Sequence, residues 1–342
     1  MDTLQPRQGI RLRKCMDVRP VVLPDDVLLN IFSRFSPREL LVLMQVCRQW
    51  RRVGCHPHLW TYVNFGLAGC ELELQVDDQG LGSCLRLGPV FQLDLELCRG
   101  VRQATLAVVA TQCATTLQRL NLAGCRSISP SGLAPLVQCT QLRVLSLRGC
   151  VQCSDESIAG VLRACPKLAY LDLGFIPGLD KQVGQALGQL PHLRHLSLRA
   201  TPTNGTFLTH LARANPPLQF LSLRKCPLVP MPALAALLRT EGPRTHMQRL
   251  DLRQMPYTAE ALAHFATLLD TLQSLLYVDV DAMLVMERFV LTSAVGGYQY
   301  QAAALDDDPR DSLQNNTFYA AFAPGPTRLA GAHHETYGCI LD

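Results

Sequence analysis

A leucine-spaced pattern recurs along most of the chain at an almost constant interval. In its clearest copy, Leu142, Leu145 and Leu147 are followed by Cys150, so the pattern reads L-x-x-L-x-L-x-x-C. Successive copies start 25 to 29 residues apart, and the first copy fits more loosely than the others. A fixed period in the twenties indicates a stack of similar units. The copies begin at Tyr62, Val90, Leu117, Leu142, Leu168, Leu193, Leu218, Met247 and Leu272.

The spacing within each copy predicts a strand followed by a short helix. The second and third anchors are two residues apart, so both point to one side of a strand. After the copy at Leu142, Ser154 is a candidate N-cap for a helix that places Ile158, Val161 and Leu162 on one face. Such a unit must bury its apolar face against its neighbours. We therefore predict an α/β fold over residues 61–282, a leucine-rich-repeat solenoid with a curved parallel sheet and outer helices, in about eight or nine repeats.

The repeats also account for most of the 14 cysteines. Five follow the third anchor of a copy, and three more fall shortly before a first anchor, where a small buried thiol packs well. The remaining clusters are the lone pair Cys150 and Cys153 and the run Cys55, His56 and His58. Structural zinc requires four ligands at matched spacing, so we predict no metal site, no cofactor and no disulfide framework. The eight explained by the repeat are Cys70, Cys98, Cys125, Cys150, Cys226, Cys113, Cys139 and Cys165.

Charge, hydropathy and motifs narrow the function classes. The net charge is only +4, which gives no argument for nucleic acid. No apolar run reaches the ~18 residues that span a bilayer, and the first residues are polar and basic rather than a secretory signal. We expect a reduced compartment, cytoplasmic or nuclear or both. No nucleophile-elbow, zinc-protease or P-loop motif is present, so we expect no catalytic residues and no enzymatic activity.

The two ends of the chain lie outside the repeat pattern. Residues 1–20 are basic, and we predict a flexible segment. Residues 283–342 contain paired glycines, an acidic run and several prolines, which favour a loop-rich or disordered tail. The chain ends at Cys339 with the layout of a prenylation signal, but Asp342 is not a usual terminal residue for that modification.

Residues 21–60 form a unit of a different kind. Pro24 followed by two aspartates is a good helix start, and Ser36 with Glu39 three residues later predicts a capped second helix. A third helical pattern runs through Trp50. Three short helices in about forty residues bury too little surface to be stable alone, so the unit needs a partner surface.

This unit resembles an F-box through its whole length. The resemblance lies in Leu23-Pro24, Ile31-Phe32, the run Ser36 to Leu40, the run Val46 to Trp50, and Leu59-Trp60. An F-box followed directly by cysteine-bearing leucine-rich repeats is similar to the F-box/leucine-rich-repeat protein family, and the similarity covers roughly residues 21–282.

The resemblance implies a role in ubiquitin transfer. F-box proteins are substrate-recognition subunits of SCF-type cullin-RING ubiquitin ligases: the F-box binds the Skp adaptor, and the repeats capture a protein substrate. Some of the matching residues must hold the F-box core instead of contacting the adaptor. The alternative is a non-degradative repeat scaffold or inhibitor whose helical unit is a cap. Carried over by position, the adaptor-binding residues are Leu23, Pro24, Ile31, Phe32, Leu40, Val46, Cys47 and Trp50.

Strand alternation predicts which residues line the concave side of the sheet. Three residues per repeat are expected to be exposed there. One column of them is aromatic and another is rich in arginine, which suits acidic or phosphorylated groups. We therefore hypothesise that this face binds an acidic or phosphorylated substrate segment, although serine and arginine are also common fillers of exposed repeat positions. The residues are Tyr170, His195 and Phe220 in one column and Arg148, Arg199, Arg224 and Arg253 in the other.

Overall fold

The structure, a computed structural model, describes residues 23–65, 78–98, 100–256, 268–269, 271–281 and 299–303. Within these ranges it contains one parallel sheet whose ten strands follow each other in chain order. This confirms the predicted α/β solenoid. The expectations for residues 1–20, for Cys70 and for Cys339 lie outside the described residues.

Each repeat contributes a strand that pairs in parallel with the strand of the next repeat. Leu93, Leu120 and Leu145 lie directly opposite one another in the register, and none of them is exposed. This column of central leucines forms a continuous buried core that joins neighbouring repeats, as the leucine spacing predicted. The strands are β1 Tyr62–Asn64, β2 Gln92–Asp94, β3 Arg119–Asn121, β4 Val144–Ser146, β5 Tyr170–Asp172, β6 His195–Ser197, β7 Phe220–Ser222, β8 Arg249–Asp251, β9 Tyr277–Asp281 and β10 Gln299–Ala303.

The helices pack beside one another on the other side of the leucine core. Ser154 accepts a hydrogen bond from the Ser157 amide, and Ile158, Val161 and Leu162 are buried, as predicted for this helix. Ala134–Gln138 is a single 3₁₀ turn in place of a helix. The solenoid helices are α4 Asp78–Leu85, α5 Gln103–Cys113, α6 Asp155–Ala164, α7 Lys181–Leu187, α8 Gly205–Ala214, α9 Met231–Leu238 and α10 Glu241–His246.

The predicted cysteine positions form a ladder of thiol hydrogen bonds. The Cys125 thiol donates to the Leu95 carbonyl oxygen at 3.1 Å, and the Cys226 thiol donates to the Leu198 carbonyl oxygen at 2.9 Å. Each thiol therefore reaches the backbone of the preceding repeat. Cys98 and Cys150 make the same contact, with the carbonyl oxygens of Phe65 and Leu122.

The residue before each ladder position turns the chain with a positive φ angle. Gly124 and Gly149 have φ of 73° and 70°, a conformation that costs glycine little. In the next repeat the same place is held by Phe175, with φ of 60°. A positive φ angle is uncommon for a residue with a bulky side chain. Leu97, Ala200, Lys225 and Gln254 occupy the equivalent positions elsewhere.

The sheet extends beyond the predicted repeats. We predicted a loop-rich tail from residue 283, but β10 at 299–303 pairs in parallel with β9 over five residues. Without β10, the sheet would end at β9 with a row of unpaired backbone groups, and β10 pairs with those groups. The prediction missed this strand because it has no leucine anchors. In the described part of the chain no helix is long and apolar enough to span a bilayer.

The N-terminal unit consists of α1 Asp25–Phe32, α2 Pro37–Leu43, α3 Arg48–Gly54 and a 3₁₀ turn at Pro57–Trp60. Ser36 and Glu39 form the predicted capping box at the start of α2. The Trp60 side chain is fully buried, and its indole nitrogen donates to the Gly54 carbonyl oxygen at 2.7 Å. Because β1 follows two residues later, this tryptophan joins the helical unit to the end of the solenoid core.

Candidate functional site

The F-box residues divide into a core set and a surface set. Phe32 and Leu40 are 1% and 2% exposed, so they hold the unit together and cannot touch a partner without unfolding it. Trp50 is half-buried and packs edge-on against Phe32, with ring centroids 5.5 Å apart. The structure therefore places Phe32 and Leu40 in the core of the unit, with Trp50 packed against that core and partly exposed.

The remaining predicted adaptor residues lie at the surface. Leu23, Ile31 and Val46 are 38%, 40% and 61% exposed, and Pro24 and Cys47 are exposed as well. Cys47 also has a local task, because its sulfur accepts a hydrogen bond from the Trp50 amide at the start of α3.

Three further apolar side chains of this unit are exposed and were not predicted. Val27, Phe35 and Val42 are 40%, 38% and 65% exposed. Val27 and Ile31 are four residues apart on α1 and so share one face of that helix. A helical-wheel reading of α1, with Leu28 and Phe32 placed inside, would have found Val27. We call Leu23, Val27, Ile31, Phe35, Val42 and Val46 the exposed F-box set.

Polar contacts fix α1 against α3 beneath this set. The Gln49 side-chain amide donates to the Leu23 carbonyl oxygen at 2.7 Å and to an Asp25 carboxylate oxygen at 2.9 Å. Arg52 pairs with Asp25 at 2.6 Å. The hydrogen bond from Gln49, together with the Arg52 guanidinium, lowers the pKa of the Asp25 carboxyl. These bonds hold Leu23 and the start of α1 in place.

On the opposite side of the sheet from the helices, the concave face, the three aromatic residues stack. The rings of Tyr170 and His195 are 4.2 Å apart and 13° from parallel, and His195 and Phe220 follow at 6.0 Å. The sequence predicted these residues to be exposed, and that prediction is wrong: none exceeds 8% exposure. Large side chains in register on adjacent strands, about 4.8 Å apart, cover one another.

His195 is the most buried member of the stack. Neither ring nitrogen meets hydrogen-bond geometry with any described residue, although the Gln219 side chain lies close enough to favour the charged form slightly. Burial outweighs this effect and lowers the pKa of His195 to about 4. The imidazole is therefore neutral at physiological pH and packs between the two aromatic rings.

The second column brings two of the predicted arginines onto one aromatic ring. The guanidinium carbons of Arg148 and Arg199 lie 5.2 and 5.0 Å from the centroid of the Phe175 ring. Phe175 belongs to the repeat between them, and sequence analysis did not select it. Gly174, its neighbour, occupies the column position that is arginine in the flanking repeats. The sequence position of Phe175 gave no signal, because five of the seven equivalent positive-φ positions in the described repeats are not glycine.

The other two predicted arginines are engaged by neighbouring side chains. Arg253 makes a bidentate pair with Asp251, at 2.8 and 3.0 Å. The Arg224 Nε donates to the Gln254 side-chain oxygen at 3.0 Å, and the residue is only 9% exposed. The predicted exposure of Arg224 is thus also wrong, because the side chain lies along the next repeat.

The two short groups of cysteine and histidine in the sequence make local hydrogen bonds. Among the described residues, no group of three or more histidine, cysteine or acidic side chains is placed to hold a metal ion. A hydrogen bond between the buried thiols of Cys150 and Cys153 raises the pKa of Cys150 and lowers that of Cys153. The His56 ring accepts a hydrogen bond from the His58 amide at the exposed end of α3.

Two family models match the chain at the places where the two folding units lie. The F-box-like model matches residues 21–66, which cover α1 to α3, the 3₁₀ turn and β1. The leucine-rich-repeat model matches residues 113–137, which include β3.

One curated relative is similar over part of the chain. Lysine-specific demethylase 2A of Xenopus tropicalis is 28% identical over 122 residues, which is 34% of this chain and 10% of that protein. The chain thus matches only a tenth of the length of this relative.

Solved structures from several organisms align with parts of this chain at low identity. A chain of the yeast Rad7 and Elc1 complex has a TM-score of 0.40 at 15% identity, covering 82% of this chain and 93% of that chain. The leucine-rich repeat-containing protein LegL7 of Legionella pneumophila has a TM-score of 0.41 at 18% identity, covering 67% and 76%. An internalin of Listeria monocytogenes has a TM-score of 0.39 at 15% identity, covering 68% and 72%. The two family matches and the ten-stranded parallel sheet together show an F-box-like unit followed by leucine-rich repeats, which is consistent with a protein of the F-box/leucine-rich-repeat family.

Proposed function

We propose that this chain is the substrate-recognition subunit of an SCF-type cullin-RING ubiquitin ligase. The exposed F-box set binds a Skp adaptor, and the concave face of the repeats captures the protein substrate. The observation that carries the proposal is the exposure of six large apolar side chains within one segment of this unit, residues 23 to 46. Apolar clusters of this kind on a small unit mark interaction sites.

The burial pattern supports adaptor binding over a purely capping role. The unit closes its own core with Phe32 and Leu40 and reaches the solenoid through Trp60. Capping the repeats therefore uses residues other than the exposed F-box set. Side chains such as Val42 and Val46, each more than 60% exposed, are left for a second surface.

In this proposal the chain performs no chemistry itself. It holds the substrate near the transfer machinery supplied by partner subunits, so its contribution is proximity and orientation. It needs no cofactor. It acts in the cytoplasm or the nucleus, where cysteines stay reduced, and the thiol ladder of the repeats suits such a compartment.

Co-purification with a purified Skp adaptor tests the proposal. The wild-type chain is expected to bind the adaptor in equal amounts, whereas Ile31→Asp/Val42→Asp is expected to lose it, because charges cannot enter an apolar interface without a partner. The control is Asn30→Asp/Gln45→Asp, which adds the same charge at exposed polar positions of the same unit. Leu23→Ala/Pro24→Ala is a milder variant expected to weaken binding.

Thermal unfolding of each variant separates loss of binding from loss of folding. Since the substituted side chains are exposed, the melting temperatures should stay close to that of the wild type. Adaptor binding by Ile31→Asp/Val42→Asp, or no binding by the folded wild type, would contradict the proposal. The chain would then be a non-degradative repeat scaffold or inhibitor with a helical cap.

A further inference from the structure

The two long edges of the solenoid differ in charge. One edge is formed by the short connections that run from each helix or 3₁₀ turn to the next strand. In the four connections before β4 to β7, the charged side chains are all basic and exposed: Arg143, Lys167 and Arg194. These connections contain no aspartate and no glutamate. They are residues 139–143, 165–169, 188–194 and 215–219.

The carboxylates of the same repeats lie elsewhere. Asp155 and Glu156 are in the first turn of α6, and Asp180 is the N-cap residue of α7, so all three are at the opposite edge. Asp172 is buried at the end of β5. In the part of the chain that the structure describes, none of the three cations forms an ion pair. The edge with the cations therefore keeps its positive charge.

Helix dipoles do not explain these three cations. A basic residue in the last turn of a helix is favoured by the dipole, and Arg163 in α6 and Arg213 in α8 fit that explanation. Arg143, Lys167 and Arg194 come after the end of the preceding helix or 3₁₀ turn, whereas the dipole effect is confined to the last turn.

The sheet holds the three cations close together. The amide of Ala169 donates to the Arg143 carbonyl oxygen and the amide of Arg194 donates to the Ala169 carbonyl oxygen, both at 2.8 Å. Adjacent strands lie about 4.8 Å apart, so the backbones of Arg143 and Arg194 are about 10 Å apart, with only a methyl side chain between them. The Lys167 ammonium donates to the Gln141 side-chain oxygen at 2.6 Å, which brings it to the connection that carries Arg143.

The composition of the four connections distinguishes between polyanionic partners. They contain no phenylalanine, tyrosine or tryptophan, the rings on which single-stranded nucleic acids stack. None of the large apolar side chains exposed in the described structure lies in them, so nothing there inserts into a membrane. An acidic polypeptide needs neither feature. Its extended chain rises about 3.4 Å per residue, so about four consecutive acidic residues span the 10 Å between the arginines.

We propose that Arg143, Lys167 and Arg194 form a docking surface for an extended acidic segment of a partner protein. The segment contains a run of about four aspartate or glutamate residues and lies along the edge across the repeats of β4 to β6. Its binding weakens as salt rises, because exposed ion pairs are screened. This surface is separate from the exposed F-box set and from the concave face, and the inference does not rest on the proposed function.

The surface is tested with the full-length chain and a fluorescent oligoglutamate peptide, with oligoglutamine as the uncharged reference. Fluorescence anisotropy at low salt is expected to show binding of oligoglutamate alone. Arg143→Gln/Lys167→Gln/Arg194→Gln should weaken it about tenfold, since three exposed ion pairs of modest strength are lost together. The matched control is Arg102→Gln/Arg126→Gln/Lys181→Gln, which removes the same charge from exposed positions at the opposite edge and should bind as the wild type does.

Chemical cross-linking locates the bound peptide. The chain has four lysines, Lys14, Lys167, Lys181 and Lys225. A water-soluble carbodiimide joins a glutamate carboxylate of the peptide to a nearby lysine amine as an amide, with release of the urea. Mass mapping should find the peptide on Lys167 well above the other three lysines. Equal coupling at all four would contradict a defined surface.

Several outcomes would overturn the acidic-segment surface. Equal losses in the two triple variants would show that binding follows net charge alone. Tighter binding of an oligothymidine of equal length would indicate a nucleic-acid surface, and binding to phosphatidylserine vesicles without peptide binding would indicate a membrane surface. Melting temperatures close to that of the wild type confirm that the variants are folded. Both triple variants should still capture the Skp adaptor, so this surface and the ligase role stand or fall separately.

Discussion

The side-chain carboxylate of Asp155 in α6 accepts a hydrogen bond from the backbone amide of Asp180 at 2.8 Å and so caps the next helix, α7. The same carboxylate accepts from the amides of Gln182 and Val183, at 2.9 and 3.2 Å. Asp180 holds the N-cap position of α7, but its own side chain makes no capping bond. One residue in the first turn of a helix therefore completes the first turn of its neighbour.

The first prediction compares these two aspartates. Asp155→Ala should lower the free energy of unfolding by about 1–2 kcal/mol, since three amides at a helix start lose their acceptor. Asp180→Ala should change it by less than about 0.5 kcal/mol, although Asp180 itself holds the N-cap position. Urea unfolding followed by circular dichroism measures both. A larger effect at Asp180 would show that the cap is local rather than shared between repeats.

The second prediction concerns the pH dependence of stability at His195. Burial lowers the pKa of this imidazole to about 4, below the usual 6.5, so the unfolded chain takes up a proton that the folded chain refuses. The folded state therefore loses stability as the pH falls from 6.5 towards 4. At pH 5 the loss amounts to about 2 kcal/mol relative to pH 7.

The test compares the free energy of unfolding of the wild type with that of His195→Phe, which keeps a stacked ring but cannot titrate. The wild type and the variant have the same carboxylates, so the titration of those groups cancels in the comparison. As the pH falls from 7 to 5, the free energy of unfolding of the variant should rise by about 2 kcal/mol relative to that of the wild type. His192→Phe, at an exposed position three residues earlier, is the control for replacing a histidine with phenylalanine in the same repeat. A difference independent of pH would mean that the native state admits a charged His195.

The third prediction uses thiol reactivity to report on adaptor binding. Cys47 and Cys55 are exposed, whereas Cys98 is buried and its pKa is raised to about 11, chiefly by burial. Iodoacetamide should therefore label Cys47 and Cys55 in the native chain and spare Cys98. With the Skp adaptor bound, labelling of Cys47 should slow while that of Cys55 continues.

Peptide mass mapping with and without the adaptor measures this protection. Cys55 serves as the internal control, because it lies at the far end of α3 from Cys47. Protection of both residues would indicate that the adaptor covers more of the unit than the exposed F-box set. Unchanged labelling of Cys47 in a verified complex would remove this residue from the interface.

The fourth prediction tests the energetic role of the thiol ladder. The Cys125 thiol binds the Leu95 carbonyl oxygen, which also keeps a bond from the Cys98 amide. Cys113 is equally buried, and its thiol makes no hydrogen bond with the described residues. Cys125→Ala should therefore cost about 0.5–1 kcal/mol more than Cys113→Ala in urea unfolding, since both remove the same volume. Equal losses of unfolding free energy in the two variants would indicate that the ladder thiols contribute packing but no hydrogen-bond stability.

Much of the fold follows from local patterns in the chain. The leucine period predicts the parallel strands and their order, since Leu93, Leu120 and Leu145 can only share a core if their repeats stack in register. Ser36 and Ser154 begin their helices as predicted, because capping depends on residues within one turn. β10 could not be predicted, because its pairing is set by the open edge of β9 and not by a pattern of its own.

The sequence by itself determined the repeating architecture, the start of each capped helix and the F-box motif, since these depend on spacings of a few residues. The tertiary structure decided which motif residues face outward, as Ile31 does and Phe32 does not. It also decided that Asp155 caps a neighbouring helix and that Arg148 and Arg199 meet at Phe175. These relationships join residues about 25 to 50 positions apart, and only the stacking of whole repeats brings their side chains within bonding distance.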